Sequence, residues 1–249
     1  MSKSSPVVLV TGASSGLGAA MATRFRAAGS KVIGVSRSKP SVALDGWCQA
    51  DITVPADRER VAMEGLAAFG ALDVLINNAG VGLYETWEES AEADLRRMFE
   101  LNFFAMVLLT QRLLPALKQS RGTVINTASI AGKVPVACMG GYCASKYAVT
   151  AYSDTLRQEL QPAGVHVINL IVGRIHTNFG SNIMGTRKSP STPELGHATP
   201  AGLAEAVYAG WRKRRREVVY PGWYGWLPLV ARWLPGQWDR GNRRKWGLE

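Results

Sequence analysis

The chain has 249 residues, of which 47% are hydrophobic and 19% are charged, and this composition excludes a disordered or fibrous protein. No run of about 18 apolar residues occurs, so we expect no membrane-spanning helix. The first apolar run, at residues 7–10, is too short for the core of a signal peptide. Three cysteines without CxxC spacing suit a reducing compartment and indicate no metal site. We therefore expect a cytoplasmic protein.

Short apolar segments rich in β-branched residues alternate with longer segments of helical spacing. Buried strands are predicted at residues 7–11, 31–36, 47–50, 73–77, 122–128, 165–171 and 217–220. Helices are predicted at 13–28, 55–69, 91–118, 141–160 and 200–215, and Pro115 is expected to kink or end the third. The alternation predicts a single α/β domain: a three-layer, Rossmann-type, doubly wound parallel sheet that binds ligands beyond its carboxyl strand ends.

A glycine-rich turn, TGASSGLG at residues 11–18, connects the first predicted strand to the first helix. Glycines in this context allow a tight turn and let the backbone approach a pyrophosphate at the helix N-terminus. Alone the turn is a weak signal, because similar turns also serve packing.

The second strand is followed by Ser36-Arg37-Ser38-Lys39, which contains no acidic residue. A site for NAD usually has an acid there to bind the ribose 2′-hydroxyl, whereas a guanidinium can bind a 2′-phosphate through paired hydrogen bonds. Arg37 therefore favours NADP, although a solvated basic loop would look the same.

Polar residues with catalytic potential follow later strands. Asn77-Asn78-Ala79-Gly80 ends the fourth strand, and Ser129 lies just past the fifth. Tyr142 and Lys146 are four residues apart on one predicted helix, hence on one face. A nearby ammonium lowers a phenol pKa, which would make Tyr142 a usable acid or base. Taken singly, these features are also typical of a turn, a helix cap and a surface pair.

Together these motifs resemble the short-chain dehydrogenase/reductase family, in its compact branch, over residues 7–222. The resemblance implies hydride transfer between nicotinamide and a carbonyl or alcohol carbon. It assigns a catalytic tetrad: Asn102, Ser129, Tyr142 and Lys146. In the reductive direction Tyr142 would protonate the alkoxide that Ser129 holds. Lys146 would lower the Tyr142 pKa and bind the nicotinamide ribose, and Asn102 would kink its helix and hold a water leading to solvent.

The cofactor site is assigned from the turn, the basic loop and the resemblance, which adds Asp51 at the adenine. One departure is Val172-Gly173, where the family usually has Pro-Gly. The assigned residues are Gly12, Ser14, Ser15, Gly16, Leu17, Gly18, Arg37, Asp51, Ile52, Asn78, Ala79, Gly80, Tyr142, Lys146, Gly173, Ile175 and Thr177.

The substrate is expected to be an apolar ketone or secondary alcohol, because the expected pocket walls carry few charges. Those walls are Val134, Pro135, Val136, Met139, Phe179, Met184 and the Trp-rich C-terminal tail. Residues 178–199, rich in Gly, Ser, Thr and Pro, are expected to form a substrate loop within a catalytic domain of residues 1–222. A non-catalytic NADP-binding sensor or scaffold on the same fold is the alternative function. Helices at 91–118 and 141–160 are expected to pair subunits into a homodimer or homotetramer.

The C-terminal extension, residues 223–249, has a composition of its own, rich in Trp and Arg. Its prolines exclude one long helix, so we expect short turns or a broken helix. It could pack as a flap over the substrate cleft or a neighbouring subunit, or contact a membrane surface peripherally. We favour the flap, because the prolines should interrupt a continuous apolar face. No nucleic-acid-binding motif is present, so nucleic acid is not an expected partner.

Overall fold

A computed structural model describes residues 5–175, 179–180, 183–190 and 198–248. Seven strands form one parallel sheet in the order β3-β2-β1-β4-β6-β7-β9. Their bounds are β1 Val7–Thr11, β2 Lys31–Ser36, β3 Gly46–Gln49, β4 Val74–Asn77, β6 Thr123–Thr127, β7 His166–Val172 and β9 Glu217–Tyr220. Two further strands, β5 Gly82–Leu83 and β8 Ile183–Met184, pair in a separate small sheet.

Helices cover both faces of the large sheet, as the predicted doubly wound fold requires. Their bounds are α1 Gly16–Ala27, α2 Pro55–Phe69, α3 Glu92–Phe99, α4 Ala105–Ser120, α5 Gly140–Leu160, α6 Pro200–Arg212, α7 Leu227–Trp233 and α8 Pro235–Trp246. On one face α1 packs against α6, and on the other face lie α2, α4 and α5. The three-layer Rossmann-type architecture is therefore confirmed.

The apolar core is split by the sheet into two layers. Successive side chains of a strand point to opposite faces, so Leu9 of β1 packs in the layer below α2 and α4. Its neighbours Val8 and Val10 pack with α1 and α6 instead. Phe25 of α1 is fully buried and meets the ring of Tyr208 on α6 edge-on, at 5.3 Å between centroids.

A ladder of buried asparagines runs across three adjacent strands. Asn77 of β4, Asn126 of β6 and Asn169 of β7 are direct partners in the parallel register. The Asn77 Nδ2 donates to Asn126 Oδ1 and to Thr110 Oγ1 of α4, both at 2.9 Å. The Asn126 Nδ2 donates to Ser153 Oγ of α5 at 3.0 Å. These bonds fasten α4 and α5 to the sheet.

The helix predicted over residues 91–118 is interrupted in the structure. Residues Glu100–Phe104 form a π-helical turn between α3 and α4, and Asn102 lies in it. Pro115 does not end the second part, because α4 continues to Ser120. The small β5–β8 sheet was not predicted, since two-residue strands carry no readable periodicity.

The C-terminal residues form short helices, as the prolines predicted. A 3₁₀ segment, Gly222–Trp226, is followed by α7 and α8. In the part of the chain that the structure describes, no helix is both long and apolar enough to cross a bilayer.

Exposed apolar side chains on α4, α5 and the π-turn generate a prediction about assembly. Phe104, Leu108 and Tyr147 are 49%, 38% and 44% exposed, on the helices through which we expect subunits to pair. Leu108→Glu should weaken self-association, because it places a charge where apolar area would be buried. Light scattering at micromolar concentration measures this, with Met63→Glu on α2 as control. A monomeric parent protein would contradict the expectation.

Candidate active site

A cavity of about 1110 Å³ lies beyond the carboxyl ends of the central strands. Strand order reverses between β1 and β4, which is where doubly wound sheets bind ligands. The wall includes most residues that the sequence assigned to the cofactor: Gly12, Ser14, Ser15, Gly16, Leu17, Arg37, Asp51, Ile52, Asn78, Ala79, Gly80, Tyr142, Lys146, Gly173 and Ile175. Thr177 and His176 lie outside the described residues.

The glycine-rich turn has the backbone that a pyrophosphate cradle needs. Gly12 and Gly16 have φ of +67° and +56°, in the left-handed region that favours glycine. Gly18 has a different role from the one assigned, because it does not line the cavity and a Cβ there would overlap the Gly12 carbonyl. Ser15 is the N-cap of α1, and its side chain makes no capping hydrogen bond. The Ser15 side chain therefore does not occupy the backbone N–H groups of the first turn, which can donate to a ligand. These residues fit a dinucleotide.

Thr11 connects the turn to the end of β4. Its Oγ1 accepts hydrogen bonds from the backbone N–H of Asn78 at 2.9 Å and of Ala79 at 3.1 Å. In return, the Asn78 Nδ2 donates to the Thr11 carbonyl at 3.1 Å. The sequence analysis assigned Asn78 and Ala79 to the cofactor but did not assign a role to Thr11. Its position as the first residue of the glycine-rich motif could have indicated one.

Arg37 and Asp51, which the sequence assigned to the adenosine half of the cofactor, both lie in the cavity wall. Arg37 is exposed, and its carbonyl accepts a hydrogen bond from Gln49 Nε2 at 3.1 Å. Asp51 Oδ1 accepts from the N–H and hydroxyl of Thr53, at 3.0 and 2.7 Å. Asp51 is the one carboxylate in the described wall, so no acid occupies the end of β2.

Tyr142 and Lys146 lie one turn apart on α5 and are 8% and 5% exposed. Burial raises the pKa of Tyr142, while a hydrogen bond with Ser129 lowers it. The Lys146 Nζ donates to the Thr127 carbonyl at 2.8 Å and lies 5.8 Å from the Tyr142 ring centroid. Burial also lowers the pKa of Lys146 to about 8.

These contacts differ from the expected electrostatics of the pair. Lys146 was expected to lower the Tyr142 pKa, but its ammonium is directed at Thr127, and Ser129 is the side chain that lowers that pKa. Ser129 itself donates to the Val172 carbonyl at 3.2 Å and caps the short 3₁₀ segment that follows it. The phenol is therefore predominantly protonated near neutral pH.

Asn102 lies behind the cavity wall rather than in it. It is 2% exposed, accepts from the Val81 N–H at 2.8 Å and donates to the Val81 carbonyl at 2.9 Å. Its Nδ2 also lies 3.2 Å from Ser145 Oγ on α5. A Cβ added to Gly80 would lie 3.0 Å from Asn102 Oδ1 and 3.7 Å from Lys146 Nζ, so Gly80 lies between these two side chains.

Apolar and cationic groups occur together in the cavity. Val134, Val136, Met139, Phe179 and Met184 line it as expected, whereas Pro135 does not. The wall also contains three cations that sequence reasoning did not place there: Arg97, Arg174 and Lys245.

The C-terminal tail closes one side of this cavity. Trp246 is 9% exposed and packs edge-on against Tyr84, with 5.6 Å between ring centroids. The Trp238 Nε1 donates to the Pro135 carbonyl at 2.8 Å. Tyr224 packs on Gly173, where a Cβ would come within 2.6 Å of its ring. Sequence reasoning named the tail as a wall but identified none of these contacts.

Known proteins are similar to this chain in sequence and in architecture. The family model described as short chain dehydrogenase matches residues 6–188. Dehydrogenase/reductase SDR family member 7B of Mus musculus is 32% identical over 251 residues, covering 92% of this chain and 78% of that protein. The chain belongs to the short-chain dehydrogenase/reductase family. It is therefore an oxidoreductase by family, as the motifs predicted.

Two similar solved structures carry nicotinamide cofactors. One is an alcohol dehydrogenase from the archaeon Thermococcus sibiricus complexed with 5-hydroxy-NADP: 26% identity, TM-score 0.75, covering 86% of this chain and 95% of that one. The other is 3-ketoacyl-(acyl-carrier-protein) reductase from Brucella melitensis complexed with NADH: 28% identity, TM-score 0.77, covering 86% and 96%. Solved relatives thus bind either nicotinamide dinucleotide.

The contacts of the tail predict that it stabilises the enzyme. Trp246→Ala should lower the free energy of unfolding by about 2–3 kcal/mol, because it removes a buried indole from Tyr84. Trp233→Ala is the matched control in the same tail, since Trp233 is 76% exposed and its loss should change stability by less than about 0.5 kcal/mol. Denaturant unfolding of both variants checks this, and equal stability would contradict it.

Proposed function

We propose that this oxidoreductase uses NADP(H) to interconvert an apolar ketone and its secondary alcohol. The observation that carries the proposal is that Ser129, Tyr142 and Lys146 line the same cavity as the glycine-rich turn. That cavity is large enough to hold a dinucleotide and a small substrate together. The five apolar side chains expected at the substrate line this cavity and favour an apolar substrate body, although Arg97, Arg174 and Lys245 line the same cavity.

The bound nicotinamide would supply the hydride donor or acceptor beside the substrate carbon. Tyr142, kept protonated by burial, would donate its proton to the substrate oxygen in the reductive direction. Ser129 would hold that oxygen through its hydroxyl. Lys146, with a pKa of about 8, would bind the ribose hydroxyls, and Asn102 would support the wall behind Gly80 and the expected water path.

The choice of NADP rests on Arg37. A carboxylate at the end of β2 would repel a 2′-phosphate, and the described wall has none there. An exposed guanidinium at that place can form charge-assisted hydrogen bonds with a phosphate. Asp51 would contact the adenine.

The proposed organisation follows from these assignments. Residues 1–222 would form the dinucleotide-binding and catalytic domain, with a substrate loop at 178–199, much of which lies outside the described residues. Residues 223–249 would form an extension that completes the cavity. We also propose that the protein is cytoplasmic and that it forms a homodimer or homotetramer.

Cofactor preference is tested by Arg37→Ala. The variant should lose about 1.5–3 kcal/mol of NADPH binding, because a charge-assisted hydrogen bond to phosphate is removed, while NADH binding stays the same. Lys39→Ala is the control, since Lys39 is an exposed neighbour that does not line the cavity. Fluorescence titration with both cofactors measures the difference, and equal losses would refute the NADP assignment.

The catalytic roles are tested by NADPH oxidation with a panel of apolar ketones. Tyr142→Phe should abolish turnover and keep NADPH binding, because only the proton donor is lost. Lys146→Ala should impair both turnover and binding. Tyr147→Phe, at an exposed neighbour on α5, should behave like the parent. If the parent binds NADPH but reduces no ketone at any pH, the sensor or scaffold alternative replaces this proposal.

A further inference from the structure

The outer surface of the C-terminal tail carries an apolar stripe that is exposed in the described part of the chain. Trp226 immediately precedes α7, and Leu229, Val230 and Trp233 follow it at i+3, i+4 and i+7, which places the four side chains on one helical face. They are 70%, 48%, 42% and 76% exposed. A surface helix normally directs such a stripe towards the core, whereas α7 directs it towards solvent.

The inner side of the tail is also apolar, because it forms part of the cavity wall. Leu227 of α7 and Trp223 before it line the cavity. Leu234, 48% exposed, extends the apolar stripe towards α8. The tail is therefore apolar on both sides: one side closes the cavity and the other meets solvent. Large exposed apolar patches of this kind mark interaction sites.

Helix α8 adds positive charge next to the stripe. Trp238, Asn242 and Trp246 of α8 line the cavity at i, i+4 and i+8. The exposed positions of α8 include Arg240, Arg243 and Arg244, and Arg232 is exposed on α7. Asp239 is the one acidic residue in the described part of the tail.

The prolines do not interrupt the apolar face, contrary to the expectation from sequence. Pro228 lies in the first turn of α7 and Pro235 in the first turn of α8. At those positions a helix needs no backbone N–H from the residue, so proline is tolerated. The stripe therefore remains continuous from Trp226 to Trp233.

We propose that this surface docks on an anionic lipid bilayer. Tryptophan is enriched at membrane–water interfaces, and arginine side chains attract anionic headgroups. A second copy of the chain fits less well, because a two-fold interface would bring the arginines of α8 near their own counterparts. The patch of Phe104, Leu108 and Tyr147 offers subunits a separate surface.

Vesicle co-sedimentation of the full chain, without nucleotide or substrate, tests the proposal independently of catalysis. The parent should bind phosphatidylcholine vesicles that contain phosphatidylglycerol and bind pure phosphatidylcholine much less. Binding should weaken in high salt, because screening shortens the reach of the arginines. The double variant Arg232→Gln/Arg240→Gln should bind at least about tenfold more weakly.

The apolar stripe is tested by Trp226→Ser/Trp233→Ser. This variant should also lose at least about tenfold in vesicle affinity and should keep the melting temperature of the parent. Met63→Ser is the matched control: Met63 is 60% exposed on α2, which packs beside β3, at the opposite sheet edge from β9. It should bind vesicles like the parent.

Three results would overturn the proposal. The parent could bind no anionic vesicle, or the tryptophan variant could bind like the parent. The third is a parent oligomer that the tryptophan variant dissociates, with no vesicle binding by either, which would make this face a subunit interface. Light scattering on the same samples identifies the third result.

Discussion

The hydrogen bonds of two buried asparagines hold α4 and α5 against the sheet. Asn77 and Asn126 are register partners on β4 and β6, and they bond to Thr110 of α4 and Ser153 of α5. Breaking such buried hydrogen bonds costs free energy, so these contacts hold both helices in position. Tyr142, three turns earlier on α5, thereby points into the cavity at the strand ends.

The same packing sets the protonation of the site. Burial disfavours the charged form of each side chain, so it raises the pKa of Tyr142 and lowers that of Lys146 to about 8. The Tyr142 phenol therefore stays protonated near neutral pH, and the Lys146 Nζ donates to the Thr127 carbonyl. Burial among apolar residues is thus the main cause of both pKa shifts, that of Tyr142 and that of Lys146.

The tail links the site to the protein surface. Its inner tryptophans complete the cavity wall, while α7 presents Trp226 and Trp233 outwards. A segment of this composition would be expected to bury its apolar area, and only half of it does so. The two sides of the tail explain why its tryptophans divide between buried and exposed positions, and why the flap and membrane interpretations are not exclusive.

The sequence alone determined the chain order of the seven strands of the large sheet, their parallel arrangement and the gathering of the motifs. Those properties are local: apolar periodicity, glycines before a helix, and polar residues at strand ends that must meet at one edge. Only the tertiary structure decided that Gly18 packs rather than lines the cavity, that Asn102 bonds to Val81 in a π-turn, and that Lys146 faces Thr127. It also decided the outward orientation of α7. These depend on contacts between residues distant in the chain, which side-chain spacing does not encode.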